Sequence, residues 1–279
     1  MNGIVPPGGL GEHARDVMAG RLAPAPARDA ATVALVRDPG KAATGEVEVY
    51  LLRRKASMAF AAGAYVFPGG RVDPRDADHE IAWSGPDPGE WGRRLGADEK
   101  TARGLVCAAV RETFEESGIL LAGPSADTVV EDTRDWEAER LALIDHSLSL
   151  AEFLDRYGLV LRADLLRAWG NWITPEVEVR RFDTRFFAAA LPPGQRTRDV
   201  GGEADRVAWM RPSEALARGE RGEIMLMPPT LRTLTELSRF ADVKAVLAEE
   251  RTIVTFLPRV VEVDGEIRLI IPGEDDRLL

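Results

Sequence analysis

The chain has 279 residues, 45% hydrophobic and 29% charged, an ordinary make-up for a soluble globular protein of one large domain or two small ones. Its formal net charge of −10, from 36 basic and 46 acidic side chains, argues against binding a nucleic acid polymer by counterion release. An anionic small molecule remains open, because bound divalent cations reverse the local field. Cys107 is the only cysteine, which excludes an intrachain disulfide; in the apolar run 104–110 it reads as a small buried hydrophobe. His13, His79 and His146 lie far apart and form no zinc pattern. No stretch approaches the ~20 apolar residues of a membrane span, and the N-terminus lacks a basic-then-apolar layout. No membrane partner and a cytoplasmic setting are therefore expected.

Residues 1–28, rich in Gly, Pro and Ala, read as a flexible arm with one helical turn near 13–20. A single domain is expected over 29–279. Residues 31–37 (ATVALVR) and 47–54 (VEVYLLRR) predict two strands, and 64–67 a third, stopped by Pro68-Gly69-Gly70. A helix is predicted from about 97 to 117, with an acidic start and Gly118 just past its end. Residues 128–168 look helical in two or three pieces, with a capping box at Ser149-Leu150-Ala151-Glu152. Strands follow at 181–191 and 206–210, helices at Pro212 and Pro228, and a terminal hairpin at 260–263 and 267–271 turned near Asp264-Gly265.

The chemically informative segment is 111–119, RETFEESGI. On a helix Glu112, Glu115 and Glu116 are spaced i, i+3, i+4 and project from one face. Like charges at that spacing cost roughly some tenths of a kcal/mol per pair. A solvated acidic face would carry Lys or Arg one turn away. Here the flanks are Ala108, Ala109, Ile119 and Leu120, and Arg111 alone is nearby. Three acids on one partly buried helix favour a hard cation, Mg²⁺ or Mn²⁺, which takes oxygen ligands and leaves room for substrate phosphates.

Residues 111–119 resemble the second half of the Nudix box, G-x5-E-x7-R-E-U-x-E-E-x-G-U with U aliphatic: Arg111, Glu112, Glu115, Glu116 and Gly118 match. At ordinary residue abundances such a match is on the order of one in a million per position. Residues 67–73 (FPGGRVD) resemble the loop before the helix. Three departures stand out: Asp76 occupies the usual Glu position, Thr113 replaces an aliphatic residue, and 34 residues rather than seven separate Asp76 from Arg111. An insertion of 27 residues, at about 77–103, thus splits the box. The split, with 172–175 (WITP), 180–187 (RRFDTRFF) and Met227-Pro228-Pro229, resembles the Nudix branch that contains the peroxisomal coenzyme A diphosphatase. A second coenzyme A signature is met in part: Leu51-Leu52, Ala56, and Gly63 with Phe67-Pro68-Gly69-Gly70 agree, while Lys55 and Phe60 stand where arginines are usual.

The resemblance implies an α/β fold, a Nudix-type α/β/α sandwich with a mixed central sheet, a further helical insertion at about 125–168 and an added C-terminal hairpin. It implies a metal-dependent hydrolase of diphosphate bonds in nucleotide-containing small molecules, with coenzyme A or an acyl-coenzyme A first. ADP-ribose, NADH or a nucleotide sugar is the alternative, and a non-catalytic nucleotide sensor a distant one. It assigns Glu112, Glu115 and Glu116 to the metal, with a carbonyl of Gly69 or Gly70. Arg111 is expected to pair with a box carboxylate or to act in catalysis directly. The water's proton goes to Glu112 or to an acid outside the box, for which Glu203 is chosen. Arg53, Phe67 and Arg181 are the expected substrate contacts; Arg180 ranks with them. Trp83, Trp91, Trp136, Trp169 and Trp172 read more readily as core than as base-stacking residues. Many Nudix enzymes dimerise, so a homodimer through the hairpin is an expectation.

Overall fold

A computed structural model of the chain describes residues 11–40, 45–55, 62–78, 80–198, 204–263 and 266–271. In chain order it contains α1 (Glu12–Met18), β1 (Ala27–Arg37), β2 (Glu48–Arg54), β3 (Ala64–Val66), β4 (Gly69–Arg71), α2 (Pro74–Asp78), β5 (Trp83–Ser84), α3 (Pro88–Leu95) and α4 (Glu99–Ser117). Then come β6 (Ala122–Gly123), α5 (Glu137–Ile144), α6 (Leu150–Arg156), β7 (Val160–Arg162), β8 (Leu166–Ile173), β9 (Arg181–Ala190) and β10 (Ala204–Met210). The last are α7 (Pro212–Glu220), β11 (Met225–Leu226), α8 (Pro228–Leu237), α9 (Val243–Ala248), β12 (Thr255–Phe256), β13 (Arg259–Val263) and β14 (Glu266–Ile270).

Strand β1 organises the molecule because both of its faces are apolar. Ala31, Val33 and Leu35 point into one core with α4, whereas Ala34 and Val36 point into a second core with α7, α8 and α9, the two-residue period of a strand. β1 runs parallel to β9 from Ala27↔Arg181 to Val36↔Ala190. On its other side it pairs antiparallel with β4 and then with β2. The nine-stranded mixed sheet has the order β11-β3-β2-β1-β9-β8-β12, with β10 on β2 and β4 on β1. Helices cover both faces, as the α/β/α expectation requires.

Two local readings are corrected. The stretch 128–168 is helical only in α5, α6 and short 3₁₀ turns; 160–162 and 166–168 are strand. Leu161 pairs with Trp83 on one side and Ala122 on the other, so partners distant in sequence overrode local helix propensity. Upstream, α3 is a separate helix in the segment read as splitting the box. Asp87 caps its start, accepting from the Glu90 amide at 2.7 Å, and Gly96 ends it with φ +63°. The hairpin β13–β14 pairs as expected, and its turn residues Asp264-Gly265 lie outside the described residues. No helix among the described residues is long and apolar enough to cross a membrane.

Candidate active site

The three box glutamates sit in the last two turns of α4. Its start is fixed by Asp98, whose carboxylate accepts from the Thr101 amide at 2.9 Å. Its end is fixed by Gly118 at φ +74°, a left-handed position natural to glycine. The terminal carbonyls are then satisfied from outside the helix. Arg140 Nη1 donates to the Glu115 carbonyl at 2.6 Å and Thr133 Oγ1 to that of Gly118 at 2.6 Å. The Arg198 amide donates to the Ser117 carbonyl at 3.0 Å. A cation at a helix C-terminus is favoured by the helix dipole as well. Arg140 is 1% exposed and also binds Glu137. Sequence reading missed it, because only the tertiary fold brings its helix to the end of α4.

Against this helix end lies the β3–β4 loop. The Gly69 amide donates to Glu116 Oε2 at 2.8 Å. A Cβ on Gly70 would lie 2.5 Å from Glu112 Oε1, so only glycine admits the carboxylate there. Arg111 is 4% exposed. Its Nη1 binds Glu112 at 2.8 Å and Glu115 at 2.9 Å, Nε binds Asp76 at 3.1 Å, and Nη2 donates to the Arg71 carbonyl at 2.7 Å. The two halves of the split box are therefore in contact: Asp76 and Arg111, far apart in sequence, form a buried ion pair, and the intervening segment loops out as β5 and α3.

The electrostatics are unbalanced. Asp76, Glu112 and Glu115 all bind the single Arg111 guanidinium. Burial pushes Glu112 up to about 7 from the ordinary 4.5, opposed by Arg111 and reinforced by Glu115. Burial also raises Glu115 and Asp76, and Arg111 again opposes it. At the rim, the hydrogen bond from Arg75 holds Asp73 down at about 2, and His146, at φ +62°, brings Nδ1 to 3.7 Å from Asp73. Among the described residues no group of three acidic, histidine or cysteine side chains is already arranged to hold a metal ion. Arg111 stands between Glu112 and Glu115, while one oxygen of Glu116 takes the Gly69 amide. The donor set nonetheless suits a hard cation: several carboxylates and a glycine loop within reach.

A family model described as the NUDT19 Nudix domain matches residues 98–239, just over half of the chain. The chain belongs to the Nudix hydrolase family. It is similar to a protein named acyl-coenzyme A diphosphatase NUDT19 from Gallus gallus, 29% identical over 89% of this chain and 79% of that protein. The protein of the same name from Xenopus laevis is 27% identical over 83% of this chain and 72% of its own length. A crystal structure of a NUDIX hydrolase from Alicyclobacillus acidocaldarius superposes with a TM-score of 0.67 and 27% identity, covering 81% of this chain and 98% of that one. The Nudix fold and the reading of the chain as a Nudix diphosphatase both stand.

Arg53, Phe67 and Arg181 make their contacts away from this cluster. Arg53 forms a two-pronged pair with Asp205 at 2.6 and 2.8 Å on the β2–β10 edge. Phe67 is 2% exposed and packs in the second core with Tyr65. Arg181 donates to the backbone carbonyls of Thr174 and Ala25 at 3.1 and 2.7 Å. Glu203 lies outside the described residues. Trp91, Trp169 and Trp172 are buried, and Trp136 packs against Phe153 and Tyr157, which is the core reading.

Proposed function

We propose that this chain is a divalent-metal-dependent diphosphatase of coenzyme A or acyl-coenzyme A, releasing 3′,5′-phosphorylated adenosine and a phosphopantetheine. The observation that carries the metal-dependent reading is the carboxylate cluster held against the Gly69-Gly70 loop, in which Asp76, Glu112 and Glu115 share one arginine and Glu116 takes the Gly69 amide. What supports the coenzyme A assignment is that relatives matching most of the chain are named acyl-coenzyme A diphosphatases. Glu112, Glu115, Glu116 and the Gly70 carbonyl would hold Mg²⁺ or Mn²⁺. Bound there, the ion supplies charge neutralisation on the diphosphate and a more acidic water for in-line attack.

The residues of the chain divide the remaining work. Arg111 positions Glu112 and Glu115 through one nitrogen and is itself anchored by Asp76 and the Arg71 carbonyl. Gly70 leaves the space that Glu112 occupies, and the Gly69 amide orients Glu116. Arg140 fixes the last turn that carries Glu115. The water's proton goes to Glu112 or to Glu203. Arg53, Phe67 and Arg181 are retained as substrate contacts.

A hydrolysis panel with products identified by mass tests this reading. Coenzyme A, acetyl-coenzyme A, ADP-ribose, NADH and a nucleotide sugar are compared in Mg²⁺ and in Mn²⁺, with Glu116→Gln as control. Phosphopantetheine release that the control abolishes is expected. Turnover confined to the other substrates discards coenzyme A and keeps the Nudix chemistry.

A further inference from the structure

Beyond the box, a cleft of about 330 Å³ opens at the far edge of the sheet, between the end of α3 and the segment leading into β12. Four arginines line it, Arg93, Arg94, Arg185 and Arg251, together with Thr252 and Thr255 and, among the described residues, no acidic one. In a chain of net charge −10 four arginines on one cleft stand out, although three of them are each paired with a carboxylate behind the lining.

Three of the guanidiniums are braced from behind. Arg185 is 7% exposed; its Nε donates to the Leu95 carbonyl at 3.0 Å and its Nη1 binds Asp183, which leaves Nη2 without a partner among the described residues. Arg251 binds Glu236 at 2.7 Å and lies over the Trp169 ring, 4.3 Å from its centroid. Arg94 binds Glu90 and lies 5.3 Å from the centroid of Trp91. Arg93 has no ion-pair or hydrogen-bond partner among the described residues. Every carboxylate that steadies these arginines stands outside the lining. Braced guanidiniums with unused N–H groups lose little side-chain freedom on binding and match the geometry of phosphate oxygens.

The position is also informative. Gly70, Ala31, Arg185, Asn171 and Thr255 form one row across five strands. At ~4.8 Å per strand, the Arg185 backbone lies about 10 Å from Gly70.

We propose that this cleft is a second anion site, separate from the box, that binds a phosphomonoester group. The group belongs either to the substrate itself, as the 3′-phosphate of coenzyme A does, or to a separate phosphorylated small molecule; the recognition chemistry is the same.

The test is titration calorimetry of the full chain in EDTA with adenosine 3′,5′-bisphosphate and with inorganic phosphate. Two variants of exposed residues, Arg93→Glu and Thr252→Glu, place a negative charge in the cleft, and their melting curves check the fold. Saturable binding by the parent, weakened at least tenfold in both variants, is expected. Equal affinity in parent and variants, or no binding by the parent, overturns the site. The source is then read from KM in Mg²⁺. A rise for coenzyme A that is absent for its form lacking the 3′-phosphate assigns the group to the substrate. Unchanged KM for both, with bisphosphate binding weakened, assigns it to a separate ligand. Because the calorimetry needs no turnover, this site stands or falls independently of the coenzyme A assignment.

Discussion

Replacing Glu112 with glutamine is expected to abolish hydrolysis and, in EDTA, to stabilise the protein above neutral pH. Glu112 is 8% exposed, and burial lifts it from 4.5 to about 7. A folded-state value above the unfolded one means that between pH ~4.5 and ~7 the folded protein holds a proton that the unfolded chain has released. Stability from this group therefore falls as pH rises through that window and stays low above it. At 1.36 kcal/mol per unit the loss is about 3 kcal/mol at pH 8. Gln keeps the shape and an oxygen for Arg111 but cannot ionise. By calorimetric or circular-dichroism melting, parent and variant should coincide near pH 4.5. The variant should be more stable at pH 8 by up to about 3 kcal/mol, on the order of 5–10 °C in a chain of this size. Adding Mg²⁺ at pH 8 should raise the melting temperature of the parent well above that of the variant, since an ion that binds only the folded state stabilises by mass action. A variant less stable than the parent at pH 8 in EDTA would refute the reasoning, because the buried charge would then not be a cost that a cation relieves.

Gly70→Ala puts a methyl where the Glu112 carboxylate sits; a loss of hydrolysis of about a hundredfold or more is expected, the cost of a misplaced catalytic group, with a melting temperature near that of the parent. Arg140→Met leaves the buried Glu115 carbonyl without its donor, which costs about 1–3 kcal/mol; chemical denaturation should show it, and kcat should fall more than KM. Arg111→Lys keeps a charge but not a fork able to reach Asp76, Glu112 and Glu115 together; a large fall in kcat is expected, and near-parental activity would remove its positioning role. Glu203→Gln should lower kcat by far more than a few-fold if that residue takes the water's proton, and a few-fold loss or less returns the role to Glu112.

Much of the chemistry was legible in one dimension because it rests on helix periodicity. The spacing of Glu112, Glu115 and Glu116, the glycine after the helix and the apolar flanks are local facts, and local facts survive in any fold that keeps the helix. The strands β1, β2 and β9 were legible for the same reason, as β-branched and apolar runs bounded by breakers. Less local features were not. The strand character of 160–168 depends on Trp83 and Ala122 arriving beside Leu161. Phe67 sits in a conspicuous loop motif, yet its neighbours across the sheet place it in the core. Nothing in residues 137–144 marks Arg140 as the group that closes the end of α4.

The sequence by itself determined a helix bearing three acids on one face, a glycine loop suited to meet it, and the apolar, β-branched runs of the central strands. Tertiary structure alone decided that Asp76 crosses the long intervening segment to reach Arg111, so that the divided box closes. It alone decided that four arginines from α3, β9 and the segment before β12 converge on one cleft. The physical reason is common to both. Backbone periodicity is fixed by bonds between near neighbours, whereas ion pairs and clefts form between groups that only the packed sheet and helices bring within a few ångströms.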